Sequence, residues 1–151
     1  MMNFYISEPF RVRFSETDMA GVVHFTQFFR WAENAESEFF RVHKIPFVCK
    51  NGETLSGWPR VHARADFFAP AHYGDCIRAC IRPKKPVNEN TSAICWEFEI
   101  RRIETDRSEK LLARGEWVSV YATMNFKSGI LRAEQTIPEA LKKVLDFFKI
   151  A

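Results

Sequence analysis

Chemistry-bearing residue types gather in one stretch, Phe14-Ser15-Glu16-Thr17-Asp18-Met19-Ala20-Gly21-Val22-Val23-His24-Phe25, directly before a long helical pattern. Unpaired amide N–H groups and the positive end of the helix dipole collect at such a helix start, a natural place to hold a developing oxyanion. Asp18 lies a few residues upstream, and Gly21 after it lets backbone approach a ligand closely. A carboxylate in that position can attack an activated carbonyl or deprotonate water. The same side chain can instead make an Asx turn or cap the helix. His24 adjoins the loop as a substrate contact, a proton-transfer partner or a pocket wall.

Other chemistries find little support. Cys49, Cys76, Cys80 and Cys95 include no C-x-x-C pair, and in a strand the four residues from Cys76 to Cys80 span ~13 Å, beyond disulfide reach or shared ligation. Reduced thiols in a cytoplasmic protein are expected. His43, His62 and His72 lack ligand spacing, so no metal is expected. No G-x-S-x-G elbow and no D-x-N-P-x-H element occur, which argues against a serine hydrolase and a hydratase. The net charge of +3 is interspersed along the chain, too weak a signal for nucleic-acid binding. Met1 to Phe10 has no apolar signal region, and no later segment reaches ~18 uncharged apolar residues, so neither export nor a membrane partner is expected.

The elements that must position this loop are legible as periodicities. Phe10, Val12 and Phe14 alternate with Arg11 and Arg13, predicting a half-buried strand. From Thr26 to His43, Phe28, Trp31, Ala32, Ala35, Phe39 and Val42 recur at helical spacing, with Phe25, Phe29 and Phe40 widening the stripe and Thr26 as N-cap. Glu36 falls inside the apolar arc and requires a partner or a subunit interface. Pro46 to Pro59 reads as an irregular connection. Four strands follow at Arg60 to Phe68, Asp75 to Arg82, Thr91 to Arg102 and Leu111 to Met124, the third with Ile94, Trp96, Phe98 and Ile100 on one face. Pro138 opens a short closing helix through Phe148. With 151 residues, 46% hydrophobic, 27% charged and 15 Phe, residues 1–151 read as one domain of α+β class, a curved antiparallel sheet wrapped around a long central helix.

The run Thr17-Asp18-Met19-Ala20-Gly21-Val22-Val23-His24-Phe25, followed by Phe29-Arg30-Trp31 and Glu33, closely resembles the signature of the 4-hydroxybenzoyl-CoA thioesterase family of hotdog-fold enzymes. A second element, Phe67-Phe68-Ala69-Pro70-Ala71-His72-Tyr73-Gly74-Asp75, resembles that family's turn between sheet strands. The similarity extends from about Phe10 to Pro138.

The resemblance implies a single hotdog domain that hydrolyses an acyl-CoA to a free acid and coenzyme A. Subunits would pair so that two sheets become continuous, giving a homo-oligomer, a dimer or tetramer, with sites between chains. It puts the catalytic carboxylate at Asp18, as nucleophile or general base, and the oxyanion donor at the backbone N–H of Phe25. Gly21, His24, Glu33 and Trp58 fall on substrate-binding positions. No cofactor is implied, because coenzyme A is part of the substrate. Where many relatives carry a basic residue and Ser opening a strand, this chain has Asn90-Thr91-Ser92, which leaves Lys84 and Lys85 as the nearest cations for coenzyme A phosphates or as a solvated turn. The alternative is a non-catalytic acyl-CoA-binding or structural hotdog module.

Overall fold

The computed structural model describes residues 4–84 and 92–147. In chain order these form β1 (Tyr5–Ile6), β2 (Phe10–Arg11), a 3-10 turn (Phe14–Glu16), α1 (Thr26–Val42), β3 (Cys49–Asn51), β4 (Thr54–Gly57) and β5 (Arg60–Phe67). Then come β6 (Cys76–Lys84), β7 (Ala93–Ile103), β8 (Glu109–Val120), β9 (Ala122–Asn125), β10 (Leu131–Ala133) and α2 (Glu139–Phe147).

Repetition of bulk at three- and four-residue intervals makes α1 a buried helix: Phe28, Trp31, Ala32, Ala35, Glu36, Phe39 and Phe40 all lie inside. It packs on β1, β6 and β7, and interlocked rings join it to β7 and β2, with Phe39 and Trp96 at 5.1 Å and Trp31 and Phe10 at 5.5 Å between centroids. The large sheet is antiparallel, in spatial order β1-β6-β7-β8-β5 with β2 also paired to β6. Strand alternation is strict where it matters: Ile94, Trp96, Phe98 and Ile100 of β7 have no exposed surface. This is the expected α+β arrangement of a sheet around a central helix.

Several boundaries differ from expectation for local reasons. Phe14 is not a strand residue; the chain tightens into the 3-10 turn and leaves that ring 78% exposed. Phe25, not Thr26, is the capping residue, with helical φ −55° and ψ −30°, and it stays exposed instead of widening the buried stripe. The Thr26 hydroxyl pairs with His24 Nδ1 at 2.8 Å. Pro46 to Pro59 holds the hairpin β3–β4, closed by the two-residue turn Gly52-Glu53 between the paired Asn51 and Thr54, with Gly52 at φ +55°. The last expected strand is two: at Tyr121 the chain passes from the large sheet into a second one, ordered β10-β9-β4-β3. Lys84 ends β6, paired with Cys95, so it is part of a strand and not of a stiff turn.

One polar group sits in the middle of the helix–sheet contact. Glu36 has no exposed surface, and its carboxylate takes a two-pronged ion pair from the Arg60 guanidinium at the start of β5. Arg60 also donates to Ser119 Oγ on β8 and lies over the Trp117 ring at 4.7 Å. The partner that the sequence required for Glu36 is therefore within the same chain, and Glu36 supplies no argument for a subunit interface. Burial is the largest influence on this carboxyl and raises its pKa, with Arg60 opposing.

The two members of the pair are unequal, because the Arg60 side chain keeps 27% of its surface in water and Glu36 only 1%. Arg60→Met should thus cost about 3 kcal/mol or more near neutral pH, by stranding a buried carboxylate, and Glu36→Gln clearly less. A carboxyl whose pKa rises on folding binds its proton more tightly in the folded chain, so its destabilisation fades as pH falls. Urea unfolding of Arg60→Met should show a smaller deficit at pH ~5 than at pH ~7.5; a deficit that grows on acidification would contradict this account.

Candidate active site

Between β2 and α1 the chain folds back on itself. Thr17 and Val23 form an antiparallel bridge, Asp18 N–H donates to the Val22 carbonyl at 2.9 Å, and Gly21 N–H donates to the Asp18 carbonyl at 3.0 Å. Asp18 Oδ1 accepts the Ala20 N–H at 2.8 Å, which is an Asx turn. That turn leaves the side chain exposed, with no hydrogen bond to Oδ2 among the described residues. Gly21 holds φ +76°, and a Cβ there would meet nothing within 4 Å. What the position demands is left-handed backbone, not space.

The two motifs noted in the sequence meet physically. Val23 N–H donates to the carbonyl of Ala71 at 2.8 Å. Ala71 is buried and precedes a turn in which His72 N–H donates to Asp75 Oδ2 at 2.9 Å and Gly74 takes φ +83°. The second motif thus fixes the exit of the first.

The peptide between His24 and Phe25 is oriented by its neighbours. His24 N–H donates to the Glu16 carbonyl at 3.0 Å, and the His24 carbonyl accepts Gln27 N–H at 2.9 Å in the first helical turn. In a trans peptide the carbonyl and the following N–H point in opposite directions. Since the His24 carbonyl points along α1, the Phe25 N–H points out of the helix start, and it has no acceptor among the described residues. Beside it an apolar cleft of about 320 Å³ is lined by Val22, Val23, Phe25, Phe28, Phe67, Phe68, Ala69 and Pro70. The geometry offers an oxyanion donor, an exposed carboxylate on the same loop and a greasy seat.

Other candidate residues fall in different places. His24 is exposed at the loop's end, stacked near Phe25 at 4.7 Å. Glu33, two turns along α1, lines a smaller cleft of about 220 Å³ with Phe29, Arg30, Arg60, Ala63 and Trp117, and lies 3.5 Å from Arg60. Trp58 is not brought to the loop; it is buried against Phe40 and Tyr121 near the other end of α1, roughly 20 Å away by helix length. Lys84 is held by Glu97 at 3.0 Å and Glu116 at 2.9 Å, and these bonds raise its pKa. Lys85 lies outside the described residues. No cluster of three or more metal-ligating side chains occurs among the described residues, and no helix there is long and apolar enough to cross a membrane.

Two residues of the site were missed by sequence reasoning. Glu16 stood inside the quoted stretch, and its carboxylate accepts the Trp31 indole N–H at 2.9 Å and the Arg13 N–H at 2.7 Å. Arg60 carried no signal beyond the demand of Glu36 for some cation.

Residues 20–109 match the Thioesterase superfamily, a stretch that begins two residues after Asp18. The chain is 36% identical over 94 residues to a 1,4-dihydroxy-2-naphthoyl-CoA hydrolase of Prochlorococcus marinus (strain MIT 9303), covering 58% of this chain and 62% of that one. It is 34% identical over 103 residues to the hydrolase of the same name from Synechococcus sp. (strain CC9311), covering 64% and 67%. The matches therefore span about three fifths to two thirds of those relatives. In fold it is similar to a 1,4-dihydroxy-2-naphthoyl-CoA thioesterase from Synechocystis, with TM-score 0.72, 24% identity and coverage of 95% and 96%. A mutant 4-hydroxybenzoyl-CoA thioesterase complexed with 4-hydroxybenzoyl-CoA gives TM-score 0.72 at 18% identity, covering 91% and 97%.

The conformational demand at Gly21 can be isolated. Gly21→Val has open space around it but forces a β-branched residue into positive φ, at a cost of about 1–2 kcal/mol. Urea titration of the purified variant should show that loss, and an unchanged midpoint would mean that the loop relaxes freely.

Proposed function

The chain belongs to the thioesterase superfamily, and from that premise we propose that it hydrolyses an acyl-CoA thioester to the free acid and coenzyme A. The observation that carries this reading is the Phe25 N–H, which has no acceptor among the described residues and faces out from the start of a buried helix beside the Asp18 loop and an aromatic cleft.

The thioester carbonyl oxygen sits on the Phe25 N–H, which gains strength as negative charge develops on that oxygen. Asp18 works through Oδ2, the oxygen not used in the Asx turn. As general base it takes a proton from water, the hydroxide adds to the carbonyl carbon, the C–S bond breaks, and the proton passes to the departing thiolate. As nucleophile it displaces coenzyme A thiolate, breaking the C–S bond to form an acyl anhydride; water then opens the anhydride to the free acid and the restored carboxylate, and the proton released goes to the thiolate. Thioesters are activated enough that neither route needs a Ser-His-Asp triad.

The acyl group is proposed to be a hydroxylated aromatic one. Relatives named for 1,4-dihydroxy-2-naphthoyl-CoA support this, as do the rings of Phe25, Phe28, Phe67 and Phe68 around the larger cleft. Glu33 is the nearest carboxylate along the helix for a hydroxyl of that group. Lys84 is neutralised by Glu97 and Glu116, whose charges oppose a phosphate beside it, so the nucleotide is proposed to rest elsewhere. Strand β5 ends the large sheet with one edge unpaired, and its residues from Val61 to Arg64 are exposed. Two copies pairing there would make their sheets continuous and cover the clefts that β5 borders.

Asp18→Asn should lower turnover of aromatic acyl-CoAs by at least ~10²-fold with folding intact, read by thiol release. Wild-type turnover in that variant would remove Asp18 from the chemistry, and a wild-type protein that binds but never cleaves would favour the binding-module reading. Sedimentation at micromolar concentration should find at least a dimer, and an active monomer would refute the pairing of edges.

A further inference from the structure

Asp18 and the Phe25 N–H are seven residues apart, on a loop whose end joins the first turn of α1 through the His24 and Phe25 carbonyls, which accept Gln27 and Phe28 N–H. The Asp18 N–H donating to the Val22 carbonyl and the Ala20 N–H donating to Asp18 Oδ1 close the loop internally. The Val23 bond to Ala71 ties it to the neighbouring turn. One more residue, Glu16, ties it deeper into α1, at Trp31.

Glu16 bonds to three separate segments, and besides its own N–H, which donates to the Arg13 carbonyl at 3.1 Å, three of its contacts matter for the loop. One carboxylate oxygen takes the Arg13 N–H, where the chain leaves β2. The other takes the indole N–H of Trp31, which is 97% buried in α1 and packed on Phe10 and Phe28. Its main-chain carbonyl takes the His24 N–H, the peptide immediately before the oxyanion donor. Trp31 is a rigid plane with one donor in a fixed direction, so the carboxylate it holds has little freedom. The carbonyl of the same residue is then fixed as well, and with it the His24 peptide.

We infer that Glu16 is a positioning residue: clamped by the Trp31 indole, it sets the direction of the Phe25 N–H and the distance from it to Asp18. This rests on the reading of Asp18 and Phe25 given above. A charged acceptor makes stronger bonds than an amide, and both of its oxygens are in use, so the clamp distinguishes Glu from Gln as well as from Ala. Misplacement of an oxyanion donor reduces transition-state stabilisation more than ground-state binding, so the loss falls on kcat.

The test uses the full-length protein and the variants Glu16→Ala, Glu16→Gln, Trp31→Phe and Glu16→Ala/Trp31→Phe. Glu16→Ala should lower kcat about tenfold or more with KM within about threefold, and Glu16→Gln, which keeps one acceptor, should recover part of that loss. Because the two side chains act through one bond, the double variant should be far less impaired than the product of the singles. Amide exchange of His24, read without any substrate, should quicken about tenfold in Glu16→Ala and Trp31→Phe alike. Unchanged His24 exchange, or quickened exchange with kcat unaltered, or fully multiplicative losses, would overturn the inference. A wild-type protein with no thioesterase activity would overturn the functional reading instead, and the exchange data would still decide whether Glu16 holds the His24 peptide.

Discussion

The placement of the loop before α1 depends on the buried ion pair between Glu36 and Arg60. A helix packed mainly through rings and methyl groups can slide or rotate by a fraction of a turn at modest cost, because such contacts are not directional. A carboxylate with no exposed surface cannot follow such a shift without losing its cation. Arg60 in turn is held by Ser119 on β8 and by the face of Trp117. The pair therefore pins α1 against the β8–β5 side of the sheet, and every residue of the helix start inherits that reference.

From this fixed helix the placement runs outward through main chain. Trp31 projects from α1 to Glu16, Glu16 holds the His24 peptide, and that peptide aims the Phe25 N–H. From the other side Ala71 holds Val23, and Ala71 is itself set by the Gly74-Asp75 turn, whose Gly74 N–H reaches the Val12 carbonyl at 3.0 Å. Two motifs separated by some fifty residues are one hydrogen-bonded unit. Their occurrence together in the sequence has a direct physical reason.

How much of this was legible in the sequence depended on whether a feature had a period. The helix and β7 bury whole faces, and burial writes a repeat of 3.6 or 2 into the residue types. The hairpin β3–β4 has no buried residue and lies in a small second sheet, so only Asn51-Gly52, where β3 enters the turn, left a mark, and the segment read as irregular. Strand β10 is fully exposed and left none. The expected strand to Met124 kept its alternation across Tyr121 while the chain changed sheets, because a change of partner does not interrupt the pleat. Trp58 shows the opposite case. A tryptophan in a connection is placed by whichever cavity accepts its ring, here the one between Phe40 and Tyr121, and nothing local to the sequence names that cavity.

The candidate site was legible in part for a related reason. Asp18 and Gly21 declare themselves, one by its charge and the other by the left-handed backbone that most residues avoid. The donor at position 25 belongs to the main chain, so the identity of the side chain there carries no information about it, and the exposed phenyl ring of Phe25 serves the cleft instead. Residue-type reasoning can find such a donor only through the side chains that orient it. Those side chains are Glu16 and Trp31, fifteen residues apart, and each has an ordinary alternative reading as a loop acid and a core aromatic. Their hydrogen bond removes that ambiguity: an indole buried in a helix spends its one donor on a loop carboxylate, and this makes the geometry of the loop a property of the core.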